Sequence, residues 1–362
     1  MSKEYILVGG YPGKENLHKH HGGGQLTAST LLVEYAQEHN IQLHVVNTAH
    51  TVFPSPSFKD KIIESKKRIG ALKSLLKNHD ISGVIIFSST GLSFYEKIVM
   101  AYITKVKNIK TLFFIRSGHF IDLNKKSKLL NFVNRKLLKI PTYLGAQGSK
   151  WIDFYKEMGI EKSHLKLIPN WIRVNSDTVY STNEKDVTFL YVGWTVKKKG
   201  ILELFDVIEE HDDLKSYKFI VAGGGTLLEE LQERTVKNGL KNIEMLGWVK
   251  PKDLPSLYRK SDVFVLPSHA EGFPNVILEA LNHGLPIIST NVGGIADSII
   301  DGQNGYIFEA KDKESLYKSI KKLASSVEQR ERFSKYGQEI LKNQHEFNKN
   351  CQMIFNSFED DT

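Results

Sequence analysis

"VFVLPSHAEGFPNVILEALNHGLPIIST" occupies residues 263–290. It opens on an apolar run, crosses a loop of Pro, Ser, Gly and Glu, passes through the helix-patterned "PNVILEALNHG", and closes on "PIIST". Neither apolar run alternates with polar residues, so neither strand has a solvated face. Two such strands joined by a helix make a parallel βαβ unit buried on both sides, with a right-handed crossover.

The same alternation runs outward in both directions. Upstream lie "VTFLYVG" (187–193), "KFIVAGGG" (218–225) and "IEMLGWV" (243–249), each followed by a helix-patterned stretch, and downstream lies "GYIF". The first half repeats the plan with "YILVGG" (5–10), "LHVVNT" (43–48), "GVIIFSS" (83–89), "TLFFIRS" (111–117) and "TYLGAQ" (142–147), and "HLKLIPNW" (164–171) closes it. The expected fold is therefore α/β, with two Rossmann-like doubly wound domains facing a cleft. Residues 1–170 form the N-terminal domain and residues 171–335 the C-terminal one. Residues 336–362 form helices expected to cross back to the N-terminal domain. "RVNSDTVYSTNEKD" (173–186) is polar and suits a hinge.

Composition bounds the function. The chain has 362 residues, 41% hydrophobic and 25% charged, as a soluble globular protein does. Cys351 is the only cysteine, so no internal disulfide forms, which fits a reducing compartment. The start "MSKEYILVGGY" lacks the pattern of a signal peptide, and no apolar run approaches the ~18 residues of a membrane span. A cytoplasmic protein is expected. Its charge is uneven: residues 1–170 carry 25 Lys+Arg and 12 Asp+Glu, while the remainder carries 24 and 29. One half is thus suited to an anionic partner.

In open parallel sheets, ligands bind at the carboxyl ends of strands. After "VFVLPS" the loop carries Glu271, Gly272, Phe273 and Pro274, and a helix begins near Asn275 and Val276. Free N–H groups at a helix start favour a phosphate. Glu279, in that helix, suits the vicinal hydroxyls of a ribose, and Glu271 those of a second sugar. Phosphate between two sugars describes a nucleotide-sugar. Taken singly, each glutamate also fits a plainer role, as an acid favouring the helix dipole or an ordinary surface residue.

Here the chain resembles the retaining GT-B glycosyltransferases of glycosyltransferase family 4 (glycosyl transferases group 1). "EGFPNVILEALNHGLPIISTNVGG" with "DGQNGYIF" looks like their donor-site signature, and Glu271 and Glu279 match its E-x7-E spacing. "LIPNWI", "YVGWTVKKKG", "VAGGGTLLEEL" and "LGWVKPKDLPSLYRKSDVFVLPS" resemble further family elements in the family's order. The resemblance covers the second half and, more loosely, the first. It implies that Glu271 contacts the transferred sugar, that Glu279 binds the nucleotide ribose, and that Lys199 holds the diphosphate. Gly224 lies in the Gly-rich turn of the donor site. One departure stands out: where the family carries Arg after "VG", this chain has Trp194. Lys197 and Lys198 are the candidate replacements for that charge, or Trp194 stacks on a ring.

In the first half, Gly22, Gly23 and Gly24 resemble the family's Gly-rich loop before the first helix and let backbone approach a phosphate or acceptor. His18, His20 and His21 fit no standard metal spacing, so no metal site is expected. His119 matches the family's active-site histidine approximately, and Arg116 nearby is positioned to pair with an acceptor phosphate. "KIIESKKRIGALKSLLKNH" (61–79) and "LNKKSKLLNFVNRKLLKI" (123–140) read as basic amphipathic helices suited to an anionic membrane surface, or to packing on the sheet with a charged outer face.

The expected protein is a glycosyltransferase of hexosyltransferase type, using a nucleoside-diphosphate sugar and a saccharide or lipid-linked saccharide acceptor in surface polysaccharide biosynthesis. The resemblance supplies retention of configuration. No D-x-D is present, so no metal cofactor is expected. A GT-B sugar-nucleotide epimerase and a non-catalytic nucleotide-sugar binding protein are the alternatives. No basic motif interleaved with aromatics points to nucleic acid.

Overall fold

Every strand pairing in the structure is parallel. The structure, a computed structural model, describes residues 3–15, 24–49, 57–175 and 186–359. The chain divides into two units, Met1–Trp171 with Phe347–Thr362, and Ile172–Glu346.

The first unit runs β1 (Glu4–Gly9), α1 (Gly24–Glu38), β2 (Gln42–Asn47), α2 (Phe58–Asn78), β3 (Ile81–Ser88), α3 (Leu92–Val106) and β4 (Thr111–Ile115). It continues through α4 (His119–Lys126), α5 (Lys128–Leu137), β5 (Tyr143–Ala146), α6 (Ser149–Glu157) and β6 (Leu165–Leu167). The strand order is β2-β1-β3-β4-β5-β6. The chain steps one way from β1 to β2 and then the other way through β3 to β6. Right-handed crossovers therefore put α1 on one face and α2 to α6 on the other. The buried cores follow. Leu72, Phe94, Ile98, Phe120, Trp151 and Phe154 share one cluster, while Leu32 and Tyr35 of α1 share a second with Phe355 and Phe358.

The second unit runs β7 (Thr188–Val192), α7 (Ile201–Glu210), β8 (Lys218–Ala222), α8 (Leu228–Lys237), β9 (Ile243–Gly247), α9 (Leu254–Arg259) and β10 (Val263–Leu266). Then follow α10 (Asn275–Asn282), β11 (Ile287–Thr290), α11 (Ile295–Ser298), β12 (Gly305–Phe308), α12 (Lys313–Ala324) and α13 (Val327–Gln344). The strand order β12-β11-β10-β7-β8-β9 puts the reversal of direction between β7 and β10.

Two expectations are corrected. The return to the first unit starts at Phe347, not at residue 336. Phe333 and Leu341 of α13 are buried in the second unit's core, and His345 Nε2 lies 2.7 Å from Ser298 Oγ. Only α14 (Phe347–Asn356) goes back, burying Phe347, Cys351, Ile354 and Phe355 against Tyr5 and Tyr35. The basic stretch 123–140 is not one helix. Ser127 breaks it, and its Oγ accepts from the Leu130 N–H at 3.3 Å, capping α5.

One glycine ties the reversal point together. Gly200 has φ +66°, and a Cβ there would lie 1.8 Å from the Pro267 carbonyl oxygen, so the turn after β7 sits directly on the loop after β10. Gly239 has a similar φ of +62° with nothing within 4 Å. Gly239→Ala should cost about 1 kcal/mol. Gly200→Ala should cost about 3 kcal/mol, because a backbone clash adds to the left-handed strain. Denaturant unfolding of both variants checks this; equal losses would mean that the close approach carries no stability.

Candidate functional site

The loops after β7 and β10 leave neighbouring strands of the second unit at its reversal point, where a doubly wound sheet opens to ligand. The His269 N–H donates to the Lys198 carbonyl at 2.9 Å, tying the two loops. Thr290 Oγ1 donates to the Ser268 carbonyl at 2.5 Å, and the Gly294 N–H donates to the Gly272 carbonyl at 2.8 Å. At Gly293, φ +56°, a Cβ would lie 2.2 Å from the Glu271 carbonyl oxygen. Glu271 is thus held by backbone from β11's end as well as by its own loop.

Its side chain is 9% exposed and accepts twice at Oε1, from Lys199 Nζ at 2.5 Å and from Ser268 Oγ at 2.6 Å. Lys199 ends a single 3₁₀ turn, Lys197–Lys199, whose other two lysines are exposed. The structure therefore joins two residues 72 positions apart into one nearly buried, charge-assisted pair. Burial, and next the Glu271 charge, push the Tyr191 hydroxyl well up, and that hydroxyl donates to the Trp194 carbonyl at 2.9 Å.

Glu279 lies in the second turn of α10. The structure rejects the plain surface reading for it. The carboxylate is largely enclosed, and its Oε2 accepts from Tyr258 Oη at 2.9 Å. Burial pushes its pKa up, against the lowering effect of the Tyr258 hydrogen bond. Tyr258 is itself fixed by stacking on His283, with ring centroids 5.1 Å apart. At the start of α10, Pro274 is extended and no side chain caps the helix. Gly272, Phe273, Pro274 and Asn275 are buried, and Val276 is partly exposed. Gly224 lies in the turn after β8, where its carbonyl accepts from the Thr195 N–H at 3.0 Å. Thr195 Oγ1 beside it is buried with no hydrogen-bond partner among the described residues.

Trp194 does not stand alone. Its ring lies 5.5 Å from that of Trp248, tilted by 40°, and Trp248 is 39% exposed. Sequence reading did not single out Trp248, Tyr258 or Ser268. An aromatic just past a strand's carboxyl end, as in "LGWV", was the available signal for Trp248.

In the first unit, Gly24 begins α1, and Gln25 Nε2 donates to the Phe87 carbonyl at 2.9 Å, fixing the helix start beside the end of β3. Gly22, Gly23, His18, His20 and His21 lie outside the described residues. Arg116 follows β4. Its guanidinium lies 4.8 Å from the Phe87 ring centroid and 5.4 Å from that of Trp171, with Nη2 donating to Asn170 Oδ1 at 2.8 Å. Nη1 is buried without a partner among the described residues, and burial pulls the pKa down to about 9. His119 opens α4 with its side chain 55% exposed, 3.9 Å from Asp122. A donor set that sequence reading missed lies at the amino end of β1: Glu4 Oε2 is 2.8 Å from His44 Nε2 and 3.0 Å from His79 Nδ1. Those three positions are far apart in sequence and meet only through strand pairing and the end of α2.

Residues 175–340 match the family pattern described as Glycosyl transferases group 1. An uncharacterized glycosyltransferase of Methanocaldococcus jannaschii is 35% identical over 170 residues, which are 47% of each chain. The UDP-Gal:alpha-D-GlcNAc-diphosphoundecaprenol alpha-1,3-galactosyltransferase of Escherichia coli is 28% identical over 181 residues, 46% of each. The chain thus spans about half the length of these curated relatives. Sucrose-phosphate synthase from Thermosynechococcus elongatus superposes with a TM-score of 0.80 at 15% identity, covering 99% of this chain and 98% of that one. The second unit is thus similar to a glycosyl transferases group 1 domain, and the fold is the two-domain GT-B fold.

The buried carboxyl of Glu279 gives a pH prediction. Its folded pKa is raised above the unfolded value, so the group costs no stability below the unfolded value. It becomes destabilising as pH rises through the folded one. Glu279→Gln keeps an acceptor for Tyr258 and removes the charge. It should melt a few degrees above wild type at neutral pH, with the gap narrowing as pH falls into the carboxylate range. Melting curves across pH check this; a variant less stable at every pH would contradict it.

Proposed function

We propose that the chain is a glycosyltransferase that moves a sugar from a nucleoside-diphosphate sugar to a saccharide or lipid-linked saccharide acceptor, with retention of configuration and without a metal. The observation that carries this reading is the Lys199–Glu271 pair at the second unit's reversal point. A diphosphate would take over Lys199 and release Glu271 to the hydroxyls of the transferred sugar. The uncapped start of α10 offers N–H groups to the phosphates. Glu279, steadied by Tyr258, accepts from the ribose. Trp194 and Trp248 offer aromatic faces near the same strand ends.

The bond from the anomeric carbon to the diphosphate oxygen breaks, and the acceptor oxygen bonds that carbon on the same face. The acceptor proton goes to the departing diphosphate. Lys199, the exposed Lys197 and Lys198, and the start of α10 meet the charge that develops on it. Retention rests on the resemblance to family 4. For the acceptor, Arg116 with its unpartnered Nη1, between Phe87 and Trp171, suits an anionic or ring-bearing group. The Escherichia coli relative's name gives a diphosphoundecaprenol-linked acceptor, which supports a lipid-linked saccharide and a role in surface polysaccharide assembly. The lipid-linked acceptor is what favours a peripheral enzyme on the inner membrane face. No helix among the described residues is long and apolar enough to cross a membrane.

The test follows release of nucleoside diphosphate from UDP-, GDP- and ADP-sugars with EDTA present. One donor should be turned over. Glu271→Ala and Lys199→Ala should each lower the rate by about 100-fold or more. Glu279→Ala should chiefly raise the donor KM, by about tenfold. Turnover restored only by added divalent metal would remove metal independence. An isomerised sugar formed without acceptor would make the protein an epimerase, and no nucleotide-sugar binding at all would overturn the reading of both glutamates.

A further inference from the structure

We propose that the outer face of α2, α3 and α5 docks on the surface of an anionic lipid bilayer. The inference deepens the peripheral-membrane part of the proposed function and rests on that part; its observations come from the first unit alone and do not require the proposed reaction. Among the described residues, fourteen large hydrophobic side chains are exposed, and eleven of them lie on these three helices. They are Phe58, Ile62 and Ile63 on α2; Leu92, Tyr95, Val99, Tyr102 and Val106 on α3; and Leu129, Phe132 and Val133 on α5. Scattered exposed apolar residues are ordinary; this concentration is not.

The topology puts these helices in one layer. All three cross on the same face of the sheet, and their inner sides share one core. The Arg68 guanidinium on α2 grips Glu96 on α3 at 2.6 and 3.2 Å, and the Phe94 ring on α3 packs against Phe120 of α4, tilted, with centroids 4.7 Å apart. Lys105 Nζ near the end of α3 reaches the Lys139 carbonyl just past α5 at 3.4 Å.

α3 carries the sharpest signal. Its buried side presents Phe94, Ile98 and Ala101 to the sheet. Its exposed side repeats apolar residues at spacings of three and four, from Leu92 to Val106. A helix apolar on two sides has a second partner beyond its own core.

Charge selects that partner. Residues 57–140 carry 18 Lys+Arg against 5 Asp+Glu, a net of +13, which exceeds the +8 of the whole chain. Lys66 and Lys73 on α2, Lys105 on α3, Lys126 at the end of α4, and Arg135 and Lys136 on α5 are all exposed. A second copy would set this charge against itself. A nucleic acid would use the lysines but leave Ile62, Val99 and Leu129 in water. A bilayer takes both: the apolar side chains enter the acyl boundary, and the lysines reach anionic headgroups.

The full chain is sedimented with vesicles of phosphatidylcholine alone or mixed with phosphatidylglycerol. Binding should appear with the mixed vesicles and weaken with salt. The pairs Val99→Glu with Tyr102→Glu, and Leu129→Glu with Phe132→Glu, should each reduce it about tenfold or more. Val236→Glu, at an exposed apolar position of the second unit, should bind as wild type. Circular dichroism and retained nucleotide release confirm that the variants fold. Absent binding, equal binding to both vesicle types, or binding unchanged in both pairs would overturn the proposal. So would a dimer in light scattering that the same substitutions dissociate, since that would assign the face to a second copy.

Discussion

A carboxylate and an ammonium, nearly buried and sharing one oxygen, decide what the second unit can be. Removing water from either charge alone is expensive, so the pair persists only because two loops bring Glu271 and Lys199 within 2.5 Å. The loops meet because Gly200 has no Cβ to strike the Pro267 carbonyl and Gly293 none to strike that of Glu271. They also meet because the strand order makes β7 and β10 neighbours. Composition, topology and two missing methyl groups all serve one electrostatic contact.

Much of this was legible in sequence, for a definite reason. Strands buried on both faces leave continuous apolar runs, and all the runs quoted from "YILVGG" to "PIIST" became parallel strands. What stayed hidden depends on contacts distant in sequence. Tyr258 gives no motif of its own, yet its hydroxyl holds Glu279. Helix periodicity cannot see Ser127 stop one helix and cap the next, because a serine is unremarkable in a basic amphipathic stretch. It likewise assigns α13 and α14 no unit, since each has an apolar face and only packing says which core it fills. The exposed stripe on α3 is invisible to any reading that keys on basic helices. α3 is poor in charge and borrows its basic setting from α2 and α5.

The two units differ in the way their cations are held. Lys199 faces a carboxylate, so its charge is already answered within the protein. Arg116 faces a neutral amide and two aromatic rings, with Nη1 unanswered, and burial pulls its pKa down. A paired cation can exchange its partner for a ligand's charge at little net expense. An unpaired buried one gains a partner it lacked, and this difference is what the two proposed roles require: a donor that must come and go, and an acceptor group that needs an anchor.

Trp194 sharpens the point. A fixed arginine there would add a second cation to the turn that carries Lys199. With tryptophan, the only nearly buried cation on that turn is balanced by Glu271, and Lys197 and Lys198 remain in water. Under the proposed function, a diphosphate arriving at this turn would meet a site whose charge is internally satisfied. In that reading it draws Lys199 from Glu271 and leaves the carboxylate to accept from sugar hydroxyls. Binding at the phosphate and recognition of the sugar would then be one event rather than two, and a nucleoside monophosphate or a free sugar would supply only half of it.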